Sequence, residues 1–360
     1  MKNIVLVIDN LIVGGAQTTN IRLAEAFKEE GYNVHLITLK DTVEFAIDEN
    51  INLINLKYKK NYPSLINNNI YANRLKSIII RIEKENGNIS LILGSLGLTH
   101  VLMNIIGNKN FYYVLHGSTT ISKLENKKGL SKLYRKYKLK KLYNNKNIIC
   151  VSNGVENDIM TLNITPLSIR TIYNFFDFEK IKKLSNEIID IELPKNYIIH
   201  VGRFAKVKRH DILIKAFHLL KDKELKLILL GDGEERDNIL KLINDLNLTN
   251  RIILMGFKKN PYPFIKKAKA LVLSSNHEGF GNVIVESLIV NTIAISTDCP
   301  YGPYEILSDN FKQCLTEVEN PISLSKCIEK NLDNTPIINQ HDLYKFEKNT
   351  IIKEYKTLFL

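Results

Sequence analysis

Cysteine is scarce: Cys150, Cys299, Cys314 and Cys327 are the only four in 360 residues, and no two fall in a CxxC or zinc-finger spacing. Four thiols make too thin a disulfide framework for a chain of this length, so a reducing, cytosolic compartment is expected. Long apolar runs are also missing. The opening segment Ile4-Val5-Leu6-Val7-Ile8 is cut by Asp9 before it reaches the length of a secretory core, no cleavage site follows, and it reads as a first strand. The longest stretch without formal charge, 86–108, contains Ser90, Gly94, Ser95, Gly97, Thr99, His100 and Asn104, which suits a buried strand, loop and helix better than a membrane span. There is no short-period repeat, no low-complexity tract, no GxGxxG fingerprint and no Asp-x-Asp in a strand-end context.

What is present describes a globular chain of about two to two and a half domains at roughly 150 residues each. The composition is 44% hydrophobic and 24% charged, with 14 Phe and 16 Tyr, which is ample for a core. Short β-branched runs alternate with longer segments of helical period, the pattern of parallel strands covered by helices in an α/β protein. Strands are expected at 4–8, 34–39, 91–93, 111–115 and 148–151 in the first half. In the second half they are expected at 197–201, 225–230, 252–255, 270–274 and 292–296. Each half reads as its own doubly wound sheet, with ligands bound beyond the carboxyl ends of the strands. The boundary is placed near 175, giving domains 1–174 and 175–340 and a helical tail over 341–360.

Several strand ends hold residues suited to anions and sugars. The turn Val13-Gly14-Gly15-Ala16-Gln17 opens a helix, and adjacent glycines admit a ligand to unpaired N–H groups there, although such a turn is also an ordinary strand-to-helix connection. In Gly202-Arg203-Phe204-Ala205-Lys206-Val207-Lys208, two cations five residues apart follow a strand and could converge on one diphosphate. The alternative is a solvated basic loop. Downstream, Ser274-Ser275-Asn276-His277-Glu278-Gly279-Phe280-Gly281-Asn282 leads into a helix bearing Glu286. The amides of Phe280, Gly281 and Asn282 would lie at its N-terminus, where a phosphate is welcome, and Glu278 and Glu286 would border one pocket and accept sugar or ribose hydroxyls.

Taken together, Gly-Arg-x4-Lys at 202–208, Glu-x7-Glu at 278–286 opened by Glu-Gly-Phe-Gly, Gly231-Asp232-Gly233, and the Gly14-Gly15 turn resemble the retaining, nucleotide-sugar-dependent glycosyltransferases of family 4. The resemblance spans the chain and is strongest over 197–310. It implies a GT-B fold, two Rossmann-like parallel-sheet domains facing across a cleft, with the C-terminal helix crossing back to the first domain. It also implies a hexosyl- or N-acetylhexosaminyltransferase that moves a sugar from a nucleotide sugar, UDP-sugar favoured, to a glycan or lipid-linked acceptor in bacterial-type surface polysaccharide synthesis. By the same resemblance Arg203 and Lys208 neutralise the donor diphosphate, Glu286 binds ribose, Glu278 contacts the donor sugar, Gly256 and Phe257 lie beside the base, and His116 faces the donor sugar. No metal cofactor is expected. Two segments depart from the family pattern: Asp298-Cys299-Pro300-Tyr301-Gly302-Pro303-Tyr304-Glu305 replaces Gly-Gly-x-Pro-Glu, and Asn174-Phe175-Phe176-Asp177 replaces Asn-Gly-Val-Asp.

The charge is distributed unevenly. The formal net charge is +12, an excess that points to an anionic partner such as nucleic acid, a phosphate ligand or a membrane surface. Residues 1–176 hold 23 Lys plus Arg against 13 Asp plus Glu, and within them the 24 residues 123–146 hold ten basic residues against Glu125 alone. Leu130, Leu133, Tyr134 and Tyr137 interleave with Lys132, Arg135, Lys136, Lys138, Lys140 and Lys141 at helical spacing, which gives an apolar stripe beside a cationic face. The face is either simply solvated or a platform for anionic lipid or a lipid-diphosphate acceptor at the inner face of the plasma membrane. Competing functions are an epimerase or phosphorylase of the same fold and, more distantly, a nucleic-acid-binding protein. The last would leave the Glu pair and the Arg203/Lys208 spacing unexplained, so no nucleic-acid partner is expected.

Overall fold

A computed structural model describes residues 2–12, 14–44, 47–125 and 127–359. Val13, part of the first Gly-Gly turn, lies outside the described residues. The strands, in chain order, are β1 (Asn3–Ile8), β2 (Asn33–Thr38), β3 (Asn52–Asn55), β4 (Ile89–Ser95), β5 (Phe111–Leu115), β6 (Asn147–Cys150), β7 (Ser168–Thr171), β8 (Tyr197–Val201), β9 (Lys226–Leu230), β10 (Ile252–Gly256), β11 (Leu271–Leu273), β12 (Ala294–Thr297) and β13 (Leu315–Thr316). Among the described residues they form two all-parallel sheets, ordered β3-β2-β1-β4-β5-β6-β7 and β10-β9-β8-β11-β12-β13. The chain divides into two compact units, 1–175 with 348–360, and 176–347.

The central strands are buried along nearly their whole length. Ile4 to Ile8 and Leu227 to Leu229 are fully buried, as parallel strands covered on both faces require. The three strands that the sequence reading does not anticipate, β3, β7 and β13, lie at sheet edges.

The tail also differs from the expected single helix over 341–360. Residues Gln340–Phe346 form a 3-10 helix in the second unit, opened by the Asn339 side chain accepting from the His341 amide at 3.1 Å. Buried Leu343 and Phe346 hold it there, and the Phe176 amide donates to the Phe346 carbonyl at 2.8 Å. The helix Lys348–Lys356 then belongs to the first unit, with Tyr355 edge-on to Phe27 at 6.2 Å and Lys348 paired to Glu29 at 2.9 Å.

Strand order fixes where each unit can bind a ligand. In the first sheet the chain reverses its direction of travel between β1 and β4, and in the second between β8 and β11. The carboxyl ends of the strands on either side of such a reversal leave a crevice, because their following loops turn away in opposite directions.

Candidate active site

In the second unit the crevice beyond β8 and β11 is lined by the segments 202–209 and 274–282. Lys208, at the end of the short 3-10 helix Lys206–Lys208, donates to Glu278 at 2.6 Å, and the Ser275 hydroxyl donates to the same carboxylate oxygen at 2.6 Å. Both side chains of the ion pair are largely buried, at 20% and 11% exposure. Burial alone would push the Glu278 carboxyl up; the Lys208 ammonium and the hydrogen bonds from Lys208 and Ser275 outweigh it and hold the group below the ordinary carboxylate range. The carboxylate is therefore ionised and fixed.

Strand-end hydroxyls keep the two loops in register. Ser274 Oγ donates to the carbonyls of Lys208 at 2.8 Å and Arg209 at 3.0 Å, and Thr297 Oγ1 donates to the Ser275 carbonyl at 2.6 Å. Arg209 takes a left-handed φ of 48°. Its guanidinium forks onto Asp211 at 2.9 and 3.0 Å and also reaches Asn276 and Glu319.

Arg203 and Lys208 do not meet on a common protein group. Arg203 is exposed and donates to Glu234 at 2.9 Å, while Lys208 is taken by Glu278. Each cation instead pairs with a carboxylate of another loop, Arg203 with Glu234 and Lys208 with Glu278. Gly231 and Gly233 explain how the Glu234 loop comes so close. A Cβ at Gly231 (φ +147°) would lie 1.9 Å from the Gly202 carbonyl oxygen, so the two backbones touch only because no side chain intervenes. The Phe204 amide completes the clasp by donating to the Asp232 carbonyl at 2.9 Å.

The remaining second-unit residues follow the carboxyl ends of β10, β11 and β12. Gly281 (φ +92°) precedes the helix Asn282–Ile289, in which Glu286 is buried. The Phe280 side chain is a core residue, stacked on Phe176 at 6.4 Å and edge-on to Phe346 at 5.4 Å, so only its backbone faces the loop. Gly302 serves the divergent segment 298–305: with φ +74°, a Cβ there would lie 2.0 Å from the Phe280 carbonyl oxygen. Gly256 closes β10, and Phe257 after it is exposed.

In the first unit, Gly14 and Gly15 open the helix Gly15–Glu29, with Gly14 in extended backbone. Asp9, at the end of β1, accepts from the amides of Leu98 at 3.1 Å and Thr99 at 2.7 Å and so caps the helix Gly97–Ile106. His116, just after β5, is half-buried. Its Nε2 lies 3.0 Å from Ser95 Oγ and 3.4 Å from Asn20 Nδ2. Burial, with His100 nearby, pushes the His116 ring down to about 3, so the imidazole is neutral at physiological pH. Asn20, Ser95, Ser275 and Glu234 were not singled out from the sequence. Each reaches its partner across 3 to 96 residues, and only Ser275 and Ser95 carry a local signal, a hydroxyl at a strand's carboxyl end.

The basic segment forms the helix Gly129–Tyr143, of which only Leu139 and Tyr143 are buried. Leu130, Leu133, Tyr134 and Tyr137 are exposed by 85, 64, 59 and 63%. The apolar stripe is therefore surface and not core. Among the described residues no helix is long and apolar enough to cross a membrane, and no group of three or more His, Cys, Asp or Glu side chains is arranged to hold a metal ion.

Residues 181–350 match the family described as Glycosyl transferases group 1, and residues 13–180 match Glycosyltransferase Family 4. The chain is 28% identical over 363 residues to the N-acetylgalactosamine-N,N'-diacetylbacillosaminyl-diphospho-undecaprenol 4-alpha-N-acetylgalactosaminyltransferase of Campylobacter jejuni, covering 99% of this chain and 96% of that one. It is 24% identical to the N-acetyl-alpha-D-glucosaminyl L-malate synthase of Bacillus anthracis, over 96% of this chain and 94% of that one. Among solved structures, Anabaena HepE in complex with UDP and glucose is similar with a TM-score of 0.75 at 18% identity, covering 99% of each chain. A glycosyltransferase from Rickettsia africae is similar with a TM-score of 0.76 at 19% identity, covering 99% of this chain and 98% of that one. At these identities the structural likeness is one of fold. The two family matches follow one another along nearly the whole sequence and both sheets have the expected form, so the chain belongs to the family 4, group 1 glycosyltransferases of GT-B fold.

Proposed function

We propose that this glycosyltransferase moves a hexosyl or N-acetylhexosaminyl group from a nucleoside-diphosphate sugar, UDP-sugar by preference, to a glycan or lipid-linked acceptor, with retention at the anomeric carbon. The observation that carries the reading is the fixed Lys208–Glu278–Ser275 group in the crevice between β8 and β11. Breaking the sugar–diphosphate bond sends its electron pair to the β-phosphate and leaves positive charge on the anomeric carbon. A buried ammonium beside the phosphate stabilises that charge more in the transition state than in the ground state. Lys208 and Arg203 supply this neutralisation, the 280–282 amides add to it at a helix N-terminus, and Glu278 faces the donor sugar with Glu286 on the ribose. Gly14 and Gly15 admit the donor phosphates at the first helix of the first unit, Gly256 and Phe257 border the base, and His116 acts on the donor sugar. The acceptor hydroxyl attacks on the face the leaving group vacates, where a departing phosphate oxygen is the nearest base for its proton. The cations do the work that a divalent ion does elsewhere, so chelation by EDTA leaves transfer intact.

UDP release from a UDP-sugar that requires acceptor tests this reading; interconversion of sugars without acceptor would favour an epimerase, and phosphate-dependent release a phosphorylase. Glu278→Gln keeps the size and the Ser275 bond but loses the charge, and is expected to impair transfer about 10²-fold. Full activity in that variant would remove Glu278 from the sugar side.

The exposed stripe and the cations of the helix Gly129–Tyr143 support docking on an anionic membrane from the cytoplasmic side, each cation near such a leaflet contributing on the order of 1 kcal/mol. The protein is expected to co-sediment with vesicles containing phosphatidylglycerol at low salt and to be released at high salt. Equal binding by a variant with Lys136, Lys138, Lys140 and Lys141 changed to Gln would contradict this role.

A further inference from the structure

Arg209 stands in a backbone conformation that favours glycine. It joins the 3-10 helix Lys206–Lys208 to the helix His210–Leu219 at φ 48° and ψ 49°, the left-handed region in which a Cβ crowds the following carbonyl oxygen. Strain of this kind persists only where the surroundings over-determine it. The side chain is largely buried, at 24% exposure, and its contacts close in one way only. A guanidinium only donates, so both Asp211 oxygens at 2.9 and 3.0 Å, the Glu319 carboxylate and Asn276 Oδ1 at 3.3 Å are its acceptors. Asn276 Nδ2 in turn donates to Glu319 Oε1 at 2.7 Å. Turning that amide over would set Nδ2 against the guanidinium and oxygen against the carboxylate.

The network braces three segments of the second unit: the turn that follows Lys208, the loop that leads to Glu278, and the turn between β13 and the helix Pro321–Asp333. Hydrogen bonds to the backbone carry it to the ion pair. The Asn276 amide donates to the Val207 carbonyl at 2.9 Å, and Ser274 Oγ donates to the Arg209 carbonyl at 3.0 Å. Lys208 immediately precedes Arg209, and Glu278 lies two residues after Asn276. A lone ion pair at a surface contributes little, but a forked guanidinium shared among three partner residues fixes direction as well as distance.

We propose that Arg209 is a positioning residue for Lys208: its guanidinium, braced on Asn276 and Glu319, holds the strained turn that aims the Lys208 ammonium at the donor diphosphate. Arg209 acts through Lys208 and does not itself touch the ligand. The effect on transfer rests on the function proposed above; the brace does not. With the turn fixed, the ammonium is in place before the diphosphate arrives.

Arg209→Gly separates side chain from backbone, since glycine takes the left-handed turn with less strain and lacks only the guanidinium. Hydrogen–deuterium exchange of the full chain reads the brace without substrate: exchange in 274–279, far in sequence from the substitution, should quicken as the bond from the Asn276 amide to Val207 loosens. For UDP release from UDP-glucose or UDP-N-acetylglucosamine, kcat should fall about tenfold to a hundredfold with a much smaller change in KM. Added to Lys208→Ala, Arg209→Gly should cost no more than about twofold further, because the residue it acts through is already gone. Arg209→Lys keeps the charge but not the fork, and should follow Arg209→Gly in both exchange and rate. Unchanged exchange or an unchanged kcat in Arg209→Gly, full activity in Arg209→Lys, or a full further loss in the double variant would each overturn the proposal. Faster exchange in Arg209→Gly, where the unmodified protein turns over no nucleotide sugar, would instead count against the proposed function and leave the brace standing.

Discussion

Lys208→Ala is expected to lower kcat by about 10²–10³, the loss of about 2.7–4 kcal/mol that follows removal of one fixed donor from a developing oxyanion. Of Arg203 and Lys208, it is Lys208 that a largely buried carboxylate holds in place, so its ammonium needs little reorganisation when charge builds on the phosphate. The same change leaves Glu278 without its countercharge, and part of any loss could be structural. Lys208→Met combined with Glu278→Gln removes both charges and separates the two effects: it should restore thermal stability without restoring turnover. Arg203→Ala is a cleaner comparison. Its pair with Glu234 joins two half-exposed side chains and contributes little to stability, so a rate loss of about a hundredfold in a protein of unchanged melting temperature would come from the ligand alone. Near wild-type kinetics in either single variant would sink the diphosphate assignment.

Gly231→Ala is expected to destabilise the second unit by about 3 kcal/mol, one to three from backbone strain at φ +147° and a similar amount from overpacking. The added carbon would meet the Gly202 carbonyl, and neither backbone has room to yield, because Gly202 donates to Leu230 at 3.0 Å and Phe204 to Asp232 at 2.9 Å. Whatever relief occurs must shift the segment that holds Arg203 and Lys208. The variant should therefore lose affinity for nucleotide along with melting temperature. A stable Gly231→Ala protein that binds nucleotide normally would mean the close approach of the two turns is not needed.

The sequence reading locates the central strands because burial on both faces leaves them few polar positions. It passes over β3, β7 and β13 for the opposite reason: Asn52-Leu53-Ile54-Asn55, Ser168-Ile169-Arg170-Thr171 and Leu315-Thr316 are short sheet edges, half in solvent, with composition close to that of loops. The strand-end loops are legible since Gly, Ser and charged residues punctuate apolar runs. Their pairings are not. Lys208 and Glu278 are 70 residues apart and Arg203 and Glu234 are 31 apart, and nothing in linear spacing says which cation takes which carboxylate. The tail shows a similar limit. Helical period persists through 341–360, but Glu347 interrupts the run between two segments buried in different units. For Leu130, Leu133, Tyr134 and Tyr137, period alone allows either a core stripe or a surface one, and only the fold shows the surface.

The central claim is that the crevice between β8 and β11 binds a nucleoside diphosphate through Lys208. Calorimetric titration of UDP into the unmodified protein and into Lys208→Ala tests it directly, with GDP and ADP as comparisons. The account predicts saturable UDP binding to the unmodified protein, weakened at least tenfold in Lys208→Ala and at raised salt. Equal affinity in the two proteins, or no binding of any nucleoside diphosphate, would contradict it.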